Sequence, residues 1–188
     1  MHTWIISDTH FYHEAMVSYC GRPKDFGEKI RHHWKRMIAP EDLVYHLGDV
    51  YFGRKSQFMD CVSDLPGKKI LIKGNHDRNK TEWYLQHGFI AVMQQAMIIA
   101  NLKVARSRMC GFRCILTHKP VQIPVLDTYV TLNIHGHYHN NRTIGWDREV
   151  VDMLTKNHKL ISMEYTGYKP VLLQNLLFDK GVRCGGEY

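Results

Sequence analysis

The chain is 188 residues long, 44% hydrophobic, and carries a formal net charge of +7 with its thirteen histidines taken as neutral. That length suits one domain, expected to span 1–188, and no apolar run approaches the roughly 20 residues of a membrane span, which excludes a helical membrane protein and makes a cytoplasmic one the expectation. Five scattered cysteines, Cys20, Cys61, Cys110, Cys114 and Cys184, form no secreted disulfide framework and read as reduced thiols.

The first predicted element is the apolar run Trp4-Ile5-Ile6, which leads into Asp8-Thr9-His10. Side chains alternate along a strand, so Asp8 and His10 are expected on one side of an extended segment. Candidate site residues starting at Asp8 leave no room for a signal peptide. Phe26, Ile30, Trp34, Met37 and Ile38 recur at helical spacing and predict a helix with Asp25 at its N-cap and Pro40 closing it. Leu43-Val44-Tyr45 predicts a strand that runs into Gly48-Asp49. Phe58, Cys61, Val62 and Leu65 predict a second helix, ended by Pro66-Gly67, and Ile70-Leu71-Ile72 a strand ahead of Gly74-Asn75-His76-Asp77.

A third helix is expected near Thr81 to His87, with Gly88 after it. From about residue 90 to 134 the chain is richer in strands. Cys114-Ile115-Leu116 leads to Thr117-His118, and Leu132-Asn133-Ile134 leads to Gly136-His137-Tyr138-His139. In the tail, Ser162 to Thr166 alternates in polarity and precedes Pro170-Val171-Leu172-Leu173. Leu176, Leu177 and Phe178 read as a last core strand in preference to an oligomer contact. Strand–helix alternation in the first half and a strand-rich second half imply an α/β fold with mixed sheets.

Each polar motif follows a predicted strand. In open α/β sheets ligands bind beyond the carboxyl ends of the strands, so segments distant in sequence can converge there. Together the motifs supply Asp8, His10, Asp49, Asn75, His118, His137 and His139 as candidate metal ligands. Seven oxygen and nitrogen donors suit two divalent ions, with Mn²⁺ the first choice and Fe, Zn or Ni as alternatives. Paired ions about 3.5–4 Å apart are a recurrent device for splitting phosphate esters. Asn75 offers a neutral oxygen. His76 beside it can protonate a leaving oxygen, because imidazole titrates near neutral pH. Asp77 is expected to accept a hydrogen bond from that imidazole and orient it. Each block alone is common as a polar turn; the five in this order are specific as a set.

At these residues the chain resembles the calcineurin-like metallophosphoesterases, whose blocks D-x-H, G-D, G-N-H-D, a lone H and G-H-x-H all occur here between Asp8 and His139. It is most similar to small bacterial and phage members, through Ser7 to His13 at the start and the S-x-E-Y-T-x-Y-x-P tail from Ser162 to Pro170. The resemblance implies a four-layer α/β/β/α sandwich of two mixed β-sheets flanked by helices. It implies one ion held by Asp8, His10, Asp49 and His139, and a second held by Asp49, Asn75, His118 and His137, with Asp49 bridging. It gives His76 the role of general acid or phosphate-stabilising group, and lets Asn75, His76 and His13 contact the substrate phosphate. Two departures stand out. Many small relatives carry Gly at the position of Tyr12, which predicts a differently shaped loop. Lys119 replaces a Tyr and either adds charge to the site or, the preferred reading, points to solvent.

The expected function is therefore hydrolysis of phosphate mono- or diesters by a hydroxide that bridges the two ions, on a small nucleotide or cyclic nucleotide. A metal-dependent nuclease is the alternative, because the basic balance favours anionic partners, although Lys and Arg are dispersed and only Lys68-Lys69 and Arg106-Ser107-Arg108 are dense. A non-catalytic protein-binding scaffold ranks lower, since no ligand position is lost.

Overall fold

The computed structural model describes residues 1–105, 108–123, 130–140 and 148–177. Strands β1 (Thr3–Ile6), β2 (Leu43–His46), β3 (Lys68–Ile72) and β4 (Phe89–Met93) are parallel neighbours in chain order. The chain between them forms α1 (Met16–Cys20), α2 (Phe26–Met37), α3 (Lys55–Phe58) and α4 (Thr81–Gln86). A second sheet holds β5 (Gln95–Ala105), β6 (Arg108–Thr117), β7 (Val130–His135) and β8 (His158–Leu160), with β5 antiparallel to β6 and the others parallel. Helix α5 (Arg148–Met153) lies in sequence between β7 and β8. The chain returns through α6 (Met163–Thr166) to β9 (Val171–Leu172), antiparallel to β1, and then α7 (Leu173–Leu177). The result is an α/β architecture of two mixed sheets with helices, as expected.

The period-two rule sorts the layers. Trp4, Ile6, Val44 and Leu71 face a cluster with Phe26, Ile30 and Trp34 of α2 and with Phe58, Cys61, Val62 and Leu65, so these helices cover one face of the first sheet. Ile5, Leu47 and Ile72 join Cys114, Leu116, Leu132 and Ile134 in the second cluster, which fills the space between the sheets. Full burial of each such side chain contributes about 1.5–3 kcal/mol. The buried Trp34 indole donates to Pro66 O at 2.9 Å, so its N–H is satisfied.

Local expectations differ from the structure at several points. Asp25 stands at the start of α2 without a side-chain cap and pairs with Lys29 at 3.0 Å. The second helix is α3 continued by a π-helical turn, Met59–Ser63. In the alternating tail segment Met163 to Thr166 forms α6, with only Ser162 extended before it, and Leu176 and Leu177 belong to α7, not a strand; Leu176 is core, at 1% exposure. Alternation over so few residues does not separate a strand from a single helical turn. Phe178, Cys184 and Arg106-Ser107 lie outside the described residues. Cys20, Cys61 and Cys114 are buried thiols. Among the described residues no helix is long and apolar enough to cross a membrane.

Candidate metal centre

Parallel pairing continues beyond the strand ends. Asp8 N donates to Gly48 O, His10 N to Asp49 O and Phe11 N to Val50 O, each at 3.0 Å, so the loops after β1 and β2 run side by side. Asp8 and His10 are not extended as the period-two reading expected: their φ values are 53° and 47°, and Asp49 (55°) and His137 (73°) are left-handed too. Such conformations cost about 1–2 kcal/mol per residue, and they persist because the surroundings over-determine them. Buried Arg22 contributes, donating to Thr9 O at 3.0 Å and Asp8 O at 2.8 Å. Tyr12, at φ 62°, holds a backbone conformation that favours glycine.

The motifs converge. Donor atoms of Asp8, His10 and His139 lie within 4.8 Å of one another, as do those of Asp49, His118 and His137. His10 Nε2 stands 3.9 Å from Asp8 Oδ1 and 3.6 Å from Asp49 Oδ2, which places Asp49 between the groups. Asn75 Oδ1 lies 2.9 Å from His118 Nε2, and His137 Nδ1 lies 3.2 Å from the same atom. Close packing makes this convergence possible: a Cβ on Gly136 would overlap Ser7 Oγ and Asp8 Oδ2, and one on Gly74 would overlap Asp49 Oδ1.

These atoms suit a cation. Asp8 Oδ1 and His10 Nε2 are buried with no hydrogen-bond partner, and both belong to the first donor group. Buried polar atoms are almost always partnered, so two orphans facing each other require an explanation. His118 Nδ1 donates to Leu47 O at 2.7 Å, which leaves Nε2 facing Asp49 Oδ2 and Asn75 Oδ1, both acceptors. A proton or a metal ion reconciles three such atoms. Carboxylate, amide oxygen and imidazole are the mixture that Mn²⁺, Fe²⁺ and Zn²⁺ accept.

Electrostatics agree with that reading. Burial pushes the Asp8 carboxyl up and the His10 imidazole well down. Burial, with the charges of His118 and Lys119, lowers His137 to about 3, so His10 and His137 are held neutral, the form that ligates metal. Burial opposes ionisation of Asp49, yet the His118 hydrogen bond and the charges of His118 and His10 hold its carboxyl below the usual range. Burial likewise opposes charging of His118, but Asp49 and Asp8 raise it to about 9, and the proton there stands in for a cation. Lys119 itself is exposed, as preferred from the sequence.

The remaining expected residues divide. His76 sits at the rim, its ring edge-on to His10 at 5.6 Å between centroids, with Nδ1 unpartnered. His13 Nδ1 lies 3.2 Å from His10 Nδ1. Asp77 does not orient His76. Its Oδ2 accepts from Asp49 N and Gly74 N, both at 2.8 Å, and its Oδ1 from Val50 N at 3.1 Å, so it ties the second and third motifs together through their backbone. Three side chains escaped the sequence reading. Ser7 Oγ donates to Asp8 Oδ2 at 2.6 Å. Glu164 faces His139 Nδ1 at 3.2 Å, and Arg22 Nε donates to Glu164 at 2.7 Å. Ser7 and Glu164 stand inside the head and tail motifs, which signalled them without assigning a role; nothing in the sequence singles out Arg22.

A family model described as calcineurin-like phosphoesterase matches residues 1–161. An uncharacterised protein of Methanocaldococcus jannaschii is 28% identical over 193 aligned residues, covering 95% of this chain and 92% of that protein. The Gene 66 protein of Mycobacterium phage L5 is 34% identical over 112 residues, 54% of each chain. The crystal structure of a protein of unknown function from Aquifex aeolicus is similar with a TM-score of 0.63 and 28% identity, over 94% of this chain and 98% of that one.

Proposed function

The chain belongs to the calcineurin-like phosphoesterase family, and from that premise we propose that it hydrolyses phosphate mono- or diesters with two divalent ions, its substrate a small nucleotide or cyclic nucleotide. One observation carries the reading: two donor groups meet around Asp49, and the buried Asp8 Oδ1 and His10 Nε2 of the first group lack hydrogen-bond partners. Asp8, His10, Asp49 and His139 would hold one ion, and Asp49, Asn75, His118 and His137 the other, Mn²⁺ being the first choice. Bound there, the ions would supply positive charge for the phosphoryl oxygens and acidify water.

The chain's own residues do the rest. The Asn75 amide and the His76 ring stand at the solvent side of the centre, where the phosphate's oxygens would meet their N–H groups. His76 would deliver a proton to the leaving oxygen, contributing roughly 10²–10⁴-fold as general acid. His13 lies next to it, 6.3 Å between ring centroids, and adds a second imidazole on the same side.

The test is hydrolysis of bis-p-nitrophenyl phosphate by metal-stripped protein before and after adding Mn²⁺, with His76→Ala alongside. Mn²⁺-dependent turnover that the variant loses while still binding metal supports the reading. Two bound equivalents without turnover on either this diester or p-nitrophenyl phosphate would sink it. The formal charge of +7 favours a nuclease as the second reading; steeply salt-dependent binding to long DNA or RNA would select it.

A further inference from the structure

Beside the centre lies a cleft of about 1000 Å³ that shares only His13 with the proposed chemistry. It runs between the segment from Phe11 to Arg31 and the segment from Phe52 to Gln57, which enters α3. Phe11, Phe26 and Val17 give it an apolar lining, and two aromatic side chains stand at its wall with large exposed surfaces, Phe52 at 48% and Tyr12 at 44%. Single exposed aromatics are ordinary; here two share one cleft, and one of them leads directly to the metal ligands. Phe52 stacks on His13, with ring centroids 4.1 Å apart and planes 18° from parallel, and meets His76 edge-on at 5.3 Å. His13 in turn reaches His10 at 3.2 Å. A ring resting on Phe52 would therefore be one side chain away from the centre.

The polar groups of the cleft narrow the occupant. Lys24 and Arg54 offer positive charge, whereas Arg31 is committed to Asp64 through contacts of 3.1 and 3.0 Å. Glu14 and Glu28 offer acceptors, suited to sugar hydroxyls or ring amines and unsuited to a run of phosphates. Single-stranded nucleic acid is held by successive aromatic platforms along a basic groove. One short aromatic wall with mixed charge, in a volume within the usual range for small-ligand sites, fits a single nucleotide unit.

We propose that this cleft binds the nucleoside half of the substrate, its base stacked against Phe52 and Tyr12 and its sugar between the acids and Lys24 and Arg54. The assignment deepens the phosphoesterase reading and rests on it, and it can be tested without turnover. The probe is 2-aminopurine riboside 5′-monophosphate, whose fluorescence falls when the base stacks, titrated into the full-length protein. Saturable quenching is expected. Affinity should weaken at least about tenfold in Phe52→Ala, which removes the platform, given what one base–aromatic stack contributes. It should weaken likewise in Val17→Trp, which places a bulky ring in the cleft. Circular dichroism verifies that both variants are folded. Absent quenching, or wild-type affinity in either folded variant, overturns the proposal, as does displacement of the probe by phosphotyrosine at lower concentration than by adenosine 5′-monophosphate. A protein that hydrolyses diesters but does not quench the probe loses only the cleft; one that quenches without hydrolysing loses only the proposed reaction.

Discussion

Glu164 accepts a hydrogen bond from His139 Nδ1 at 3.2 Å, and this leaves His139 Nε2 directed at Asp8 Oδ1, 3.8 Å away. The carboxylate is itself held by the buried Arg22 guanidinium at 2.7 Å. Burial opposes its ionisation, but His139 and Arg22 prevail and lower Glu164 to about 2. A carboxylate behind a metal-facing imidazole fixes its tautomer and strengthens it as a donor.

Replacing Glu164 by Gln therefore weakens the group formed by Asp8, His10 and His139 about 10–100-fold in Mn²⁺ affinity. The group formed by Asp49, His118 and His137 keeps its own affinity. Isothermal titration resolves the two classes. Equal affinities for wild type and variant would reduce Glu164 to a purely structural partner of Arg22.

Gly136→Ala deletes no donor yet should cost metal. The added Cβ overlaps Ser7 Oγ and Asp8 Oδ2, so Asp8 has to move. Metal analysis after equilibration with Mn²⁺ is expected to show less than the wild-type content, with the shortfall at the Asp8 group. Full occupancy would mean that the loop yields without displacing the carboxylate.

Asp77→Asn separates bracing from orientation. The carboxylate accepts from three backbone amides, and a carboxamide would turn its NH₂ towards at least one of them. Loss of charge-assisted bonds and the unmatched donors should lower stability by about 2–3 kcal/mol, read by denaturant titration. A variant of unchanged stability with impaired turnover would instead return Asp77 to the role of orienting His76.

Acid should destabilise the protein through His46. Burial lowers this imidazole to about 3 from an ordinary 6.5. Its Nδ1 accepts from Gly48 N at 3.2 Å, and its Nε2 donates to Thr9 Oγ1 at 2.9 Å, so a second ring proton has no place. Below pH 6.5 the unfolded chain takes up a proton that the folded protein refuses. The contribution is thus complete above 6.5 and is lost towards pH 3, at about 1.4 kcal/mol per pH unit. Unfolding free energies between pH 6 and 4 should fall less steeply in His46→Gln by that amount. Identical slopes would show that the ring is protonated in the folded state.

Much of the candidate site was legible in the sequence because chemistry and topology leave a linear trace. Asp49 and Asn75 each lie three residues past the end of a strand, and parallel strands deliver their carboxyl ends to one edge of a sheet. Donor types do not depend on conformation, so the seven candidate ligands, the mixed sheets and the family pattern could be read directly. The tertiary structure decided what depends on side chains meeting across long separations. It turned Asp8 and His10 into left-handed loops that the alternation rule reads as strand, because hydrogen bonds to carbonyls of the β2 loop and from Arg22 outweigh the local preference. It gave Asp77 to backbone amides rather than to its neighbour His76, and joined Arg22 to Glu164 across 142 positions. Local periodicity reports what the chain prefers by itself, whereas burial sets which distant partner a charged group must find.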